Sequence, residues 1–148
     1  MDYNNNRTIT LERTFKAPIS LVWKAWTQPE HIAQWWGPKS MTTEIIKHDF
    51  RVGGYWEFQM KMKDGNAFIG DGIYMEIEAP HRLVTSANFK PMTEGVELHI
   101  ILKEKGDQTH FVFHVVHASE EYCIQQEKMG LMNGWGSVFD RLEEHVSA

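Results

Sequence analysis

The sequence predicts an α+β fold: a curved antiparallel sheet of about seven strands wrapped around a long C-terminal helix, with two short helices after the first strand closing one end. Three observations carry this. Segments between residues 42 and 117 alternate apolar and polar side chains, as half-buried strands do. The tail from about Ser119 to His145 has one apolar stripe at helical spacing. Two short stretches between residues 18 and 37 also show that spacing. The chain of 148 residues suits one core, so residues 1–148 read as a single domain with 1–6 as a frayed lead-in.

Residues 8–16 alternate, with Ile9, Leu11 and Phe15 on one face and Arg13 among them. Pro18 fits the first position of a helix, and Ile19, Val22, Trp23 and Trp26 follow as its stripe. Thr27-x-x-Glu30 has the form of a capping box opening a second short helix. On that helix Ile32, Trp35 and Trp36 share a face, and Gly37-Pro38 ends it.

Strands follow. Residues 42–50 form one. After Gly53-Gly54 the next places Trp56, Phe58, Met60 and Met62 on one face. Asp64-Gly65 predicts a two-residue hairpin turn that pairs Lys63 with Asn66. Met60 then opposes Ile69, Phe58 opposes Asp71 and Trp56 opposes Ile73, which puts Asp71, Ile73 and Met75 on the apolar face. Ala79-Pro80 ends that strand, and residues 82–89 form another. Gly106-Asp107 joins strands 95–104 and 109–117; pairing Lys105 with Gln108 sets Leu98, Ile100 and Leu102 against Val115, Phe113 and Phe111. In the tail helix Ile124, Leu131, Trp135, Val138, Leu142 and Val146 line one stripe, interrupted by Gly130, Gly134 and Gly136. So many glycines suggest a kink, a close backbone approach or space left for something else.

Composition excludes several functions. The net charge is −5 and no stretch collects Lys and Arg, which argues against a nucleic-acid partner. The one cysteine, Cys123, allows no intrachain disulfide and sits among Glu120, Glu121 and Glu127, so it reads as a structural thiol. The polar N-terminus has no apolar signal region, and no apolar run reaches the ~20 residues of a membrane span. A cytoplasmic protein is expected. His110 and His114 share a strand face but stand roughly 13 Å apart. His99 opposes His114 on the polar face, expected to be solvated, and two ligands do not complete a zinc site. Neither a metal nor a cofactor is expected, since no HExxH, CxxC, P-loop, GxSxG or dinucleotide fingerprint is present.

The segments RTFKAPISLVWKAWTQPEHIAQWWGP (13–38), DFRVGG (49–54), GIYMEIEAPHRLV (72–84) and GWGSVFDRL (134–142) resemble the activator of heat-shock-protein-90 ATPase homologue-like family. That family belongs to the START-related, polyketide-cyclase-like (SRPBCC) superfamily with the helix-grip fold. The resemblance implies a deep cavity between the sheet and the long helix, without fixing one chemistry. Superfamily members bind lipids or hormones, act as cyclases or assist chaperones. The eukaryotic activators carry a further N-terminal domain that this chain lacks, which argues against a chaperone partner.

The residues expected to line such a cavity are Trp35, Trp36, Trp56, Phe58, Met60, Ile73, Met75, Met132 and Trp135. Asp71 is the expected polar anchor or general acid/base, with Arg13 as its ion-pair partner and His48 as a further candidate. Of the two tryptophans 35 and 36, one is expected deep in the core and the other at the pocket edge, since neighbouring helical side chains diverge by roughly 100°. The leading reading is a binding protein for a small apolar or amphipathic molecule. The alternatives are a cyclase- or hydrolase-type enzyme using Asp71, and a chaperone-assisting module. Absence of a recognised catalytic constellation favours binding. A homodimer is compatible with the sequence.

Overall fold

The computed structural model describes residues 6–37, 41–90, 93–128 and 130–147, with the side chains of residues 90, 93 and 131–133 outside that description. The elements run β1 (Thr8–Phe15), α1 (Ile19–Thr27), α2 (Pro29–Trp35), β2 (Thr42–His48), β3 (Tyr55–Lys61), β4 (Ala67–Glu78), β5 (Arg82–Lys90), β6 (Thr93–Lys105), β7 (Gln108–Val116), α3 (Glu120–Lys128) and α4 (Leu131–Ser147). The seven strands form one antiparallel sheet in the order β1-β7-β6-β5-β4-β3-β2. This is the helix-grip architecture that the sequence predicts. β1 and β2 lie on opposite edges, so α1 and α2 must carry the chain across the sheet's concave side. That crossing places the tryptophan-rich corner over the centre of the sheet.

The β6–β7 hairpin has the predicted register, with Lys105 opposite Gln108, Leu98 opposite Val115, His99 opposite His114, Ile100 opposite Phe113 and Leu102 opposite Phe111. Leu98, Ile100, Leu102, Phe111 and Phe113 are all buried on the helix side. Trp135 and Phe139 of α4 pack on them, with ring centroids 4.8 Å (Trp135–Phe113) and 4.9 Å (Phe139–Phe111) apart. Val138, Leu142 and Val146 continue the stripe. Each such side chain contributes about 1.5–3 kcal/mol by leaving water.

Four expectations need correction. First, Asp64-Gly65 does not form a two-residue turn. Met62 N–H donates to the Asn66 carbonyl (2.8 Å) and Asn66 N–H to the Asp64 carboxylate (2.9 Å), closing a three-residue loop with Gly65 at φ +92°. The pairing therefore moves by one: Met60 opposes Phe68, Phe58 opposes Gly70 and Trp56 opposes Gly72. A one-residue slip turns every side chain over. Gly70, Gly72 and Tyr74 face inward, whereas Ile73 and Met75 are 48% and 43% exposed on the outer face.

Second, the tail is two helices, divided after Lys128 and resuming at Leu131, with Gly130 at φ +87°. The stripe does not extend through α3, where Cys123 and Gln126 are buried and Ile124 is exposed. Third, no capping box forms. Thr27 closes α1 by donating its hydroxyl to the Trp23 carbonyl (2.8 Å), and Pro29 starts α2. Fourth, the outer face at His99 is not solvated: His99 is fully buried and His114 nearly so. They form a row with Val84 and Thr10 running from β5 to the edge strand β1, held by His99–Glu97 (2.9 Å) and Thr10–His114 (2.7 Å) hydrogen bonds.

Candidate functional site

A small space of about 20 Å³ lies between the sheet and the helices. Six elements or their ends border it. α1 supplies Trp26, α2 supplies Ile32, and Trp36 follows α2 directly. β3 supplies Trp56 and Phe58, β4 Tyr74, β5 Leu83 and Thr85, and β6 Leu98 and Ile100. The local reasons are plain in the backbone. Trp36 has left the helix (φ −65°, ψ 132°), so its ring diverges from that of Trp35 by 61°. Gly72 lets the Trp56 ring lie flat on β4, because a Cβ there would stand 2.9 Å from Trp56 Cε2 and 1.9 Å from the Ser86 carbonyl oxygen.

The lining is aromatic and aliphatic, with few polar atoms. Trp56 Nε1 donates to Thr85 Oγ1 (2.7 Å), which lies 3.1 Å from the Ile73 carbonyl it can donate to. The Tyr74 hydroxyl shares a 3.0 Å hydrogen bond with His48 Nε2. Burial pushes the Tyr74 phenol up, so it stays protonated, and pushes the His48 imidazole down, against the opposing charges of Asp49 and Glu30. No lining residue carries a carboxylate, an ammonium, a guanidinium or a thiol. Such a wall suits an uncharged, largely apolar molecule.

Nine of the predicted site residues divide into three groups. Trp36, Trp56 and Phe58 border the space. Trp35, Met60 and Trp135 are buried without bordering it: Trp35 stacks edge-on to Trp26 at 4.7 Å and donates Nε1 to the Ala25 carbonyl (2.8 Å), and Trp135 packs on Trp36 at 5.9 Å. Asp71, Ile73 and Met75 do not reach it, because the three-residue loop turns them outward. Asp71 accepts instead from Asn88 Nδ2 (2.9 Å). Arg13 does lie on the inward face of β1, but it pairs with Asp140 (2.5 Å) and the Gly136 carbonyl (3.0 Å) of α4, not with Asp71. The side chain of Met132 lies outside the described residues.

Sequence reasoning missed Trp26, Ile32, Tyr74, Leu83, Thr85, Leu98 and Ile100 as lining residues. The signal for Tyr74 was the Gly70-x-Gly72 alternation: glycine every second residue marks the face against which large rings lie. It also missed the seam that holds α2 down. Arg141 of α4 donates to the carbonyls of Gly37 (2.7 Å) and Gln34 (3.0 Å), and His31 of α2 shares a 3.0 Å hydrogen bond with His145 of α4.

Four histidines are held below the ordinary value of 6.5: His48 and His117 by burial, His114 by burial and then His99, His145 by burial and then His31. A depressed imidazole favours the folded state while neutral. Its contribution is present above pH 6.5 and is lost as pH falls through the folded value. The urea midpoint is therefore expected to drop between about pH 7 and pH 5, before most carboxylates titrate. His145→Gln should flatten part of that drop. An unchanged midpoint over this interval would contradict the burial of these rings.

A curved sheet gripping a C-terminal helix, with an apolar space beneath the helices, defines a START-related protein. The chain matches the family described as Activator of Hsp90 ATPase homolog 1-like protein over residues 16–147, and it belongs to that family. Among solved structures it resembles a protein from Arthrobacter aurescens with a TM-score of 0.88 at 23% identity, over 99% of this chain and 89% of that one. It resembles one from Nitrosomonas europaea with a TM-score of 0.86 at 24% identity, over 99% and 98%. The AHSA1-like protein from Aeromonas hydrophila gives a TM-score of 0.78 at 25% identity, over 95% and 92%. Compared with curated proteins, the sequence matches none. Among the described residues no helix is long and apolar enough to cross a membrane, and no three His, Cys, Asp or Glu side chains gather as metal ligands.

Proposed function

We propose that this protein binds a small apolar or amphipathic molecule in the space between the sheet and its helices. The observation that supports this is the small void at the meeting point of six elements, walled by Trp26, Trp36, Trp56, Phe58 and Tyr74 and free of ionised groups. Ordinary cores are filled to near crystal density. At about 20 Å³ the void holds no more than a water, whereas small-molecule sites measure ~300–1,000 Å³. Binding on this reading moves α2 and Trp36 aside. α2 is the mobile wall because it is only seven residues long, and hydrogen bonds from Arg141 and His145 tie it and Gly37 just beyond it to α4. Catalysis through Asp71 is not part of the reading, since that carboxylate lies on the outer face.

The test is a fluorescence titration with the neutral dye 1-N-phenylnaphthylamine. The reading expects saturable emission at one dye per chain. It also expects Arg141→Ala to speed dye entry, measured by stopped flow, because the α2–α4 seam is weakened. Linear, unsaturable emission from the wild type would sink it.

A further inference from the structure

Trp26 borders the void and is 4% exposed, yet no hydrogen-bond partner reaches its indole Nε1–H among the described residues. Its two bonded counterparts set the contrast: Trp35 Nε1 donates to Ala25 and Trp56 Nε1 to Thr85. Nine in ten or more buried polar groups in native proteins find a partner, and each exception calls for a reason. An indole N–H is a donor only, so the missing partner is an acceptor. The rings of Trp35, Trp36, Phe111, Phe113 and Phe139 surround Trp26 and offer no oxygen.

We infer that the ligand presents a neutral carbonyl-type oxygen to Trp26 Nε1–H. This rests on the reading that the void is a ligand site. The oxygen is neutral because no lining side chain carries a positive charge to balance an anion taken out of water. The rest of the molecule lies against Trp36, Trp56 and Phe58, so its body is apolar. Ketones, esters and amides on an aromatic or aliphatic frame meet this description; free carboxylates and phosphates do not.

The experiment compares 2-acetylnaphthalene with 2-ethylnaphthalene, which differ by one oxygen, on the wild type and on Trp26→Phe. The ratio of acetyl to ethyl affinity is expected to fall about three- to tenfold in the variant, the worth of one hydrogen bond. In the wild type, the Trp26 indole resonance should lie further downfield with the acetyl probe than with the ethyl probe, whose naphthalene ring exerts a similar ring current without the hydrogen bond. That spectrum decides the matter even if Trp26→Phe does not fold. If both naphthalenes bind, the ratio is unchanged and the indole resonance moves alike with both, a buried water or a ring face satisfies the N–H and the inference is overturned alone. If neither naphthalene binds the wild type, the cavity reading falls and takes the inference with it.

Discussion

Gly72→Val is expected to lower the unfolding free energy by about 3 kcal/mol or more, at the severe end of overpacking substitutions. A Cβ at position 72 would sit 1.9 Å from the Ser86 carbonyl oxygen on β5 and 2.9 Å from Trp56 on β3. Neither neighbour can yield cheaply. The Ser86 carbonyl is part of the sheet, and Trp56 is fixed by its bond to Thr85. Relief requires β4 and β5 to separate where the void's wall is built. Ile73→Ala, one residue away but 48% exposed, should cost less than about 1 kcal/mol. Urea unfolding of both variants checks the pair. A harmless Gly72→Val would mean that Asp71, not Gly72, faces inward.

Trp36→Ala is expected to cost about 3–5 kcal/mol, and added indole should restore part of the loss. Although Trp36 borders the void, it is only 4% exposed and packs against Phe58 (5.3 Å), Trp56 (5.8 Å) and Trp135 (5.9 Å). It is a core ring as well as a pocket wall, so its removal is costly, and the space it leaves joins the existing void. An apolar cavity of that size stays dry and accepts an aromatic guest. Melting temperatures with and without indole measure this. Trp35→Ala should be as costly but gain less from indole, because its ring does not border the void. Equal recovery in both variants, or none in Trp36→Ala, would contradict the placement.

The two hairpins show what the sequence can and cannot convey. Gly106-Asp107 and Asp64-Gly65 both mark a turn, and both sit between alternating runs. The first is the two-residue turn it resembles, so the β6–β7 register was readable. In the second, Asp64 caps the Asn66 amide and Gly65 takes the left-handed position of a three-residue loop, which shifts β4 by one. An Asp-Gly pair is compatible with either geometry. The arbiter was the steric need of Trp56 for glycine opposite it, and that lies outside the turn. Arg13 repeats the lesson: alternation placed it on the inward face, but its partner Asp140 comes from the other end of the chain. The helix stripe from Trp135 to Val146 was readable because burial there follows period alone. The break at Gly130 was not, since three nearby glycines gave no reason to choose among them.

The most direct measurement is a two-dimensional ¹⁵N–¹H titration of the wild-type protein with 1-N-phenylnaphthylamine, with backbone and indole resonances assigned. The account predicts saturable shifts at the Trp26, Trp36 and Trp56 indoles and along α2, with the outer-face residues Ile69, Ile73 and Met75 unmoved. Shifts confined to those three outer residues, or none at the indoles, would contradict it.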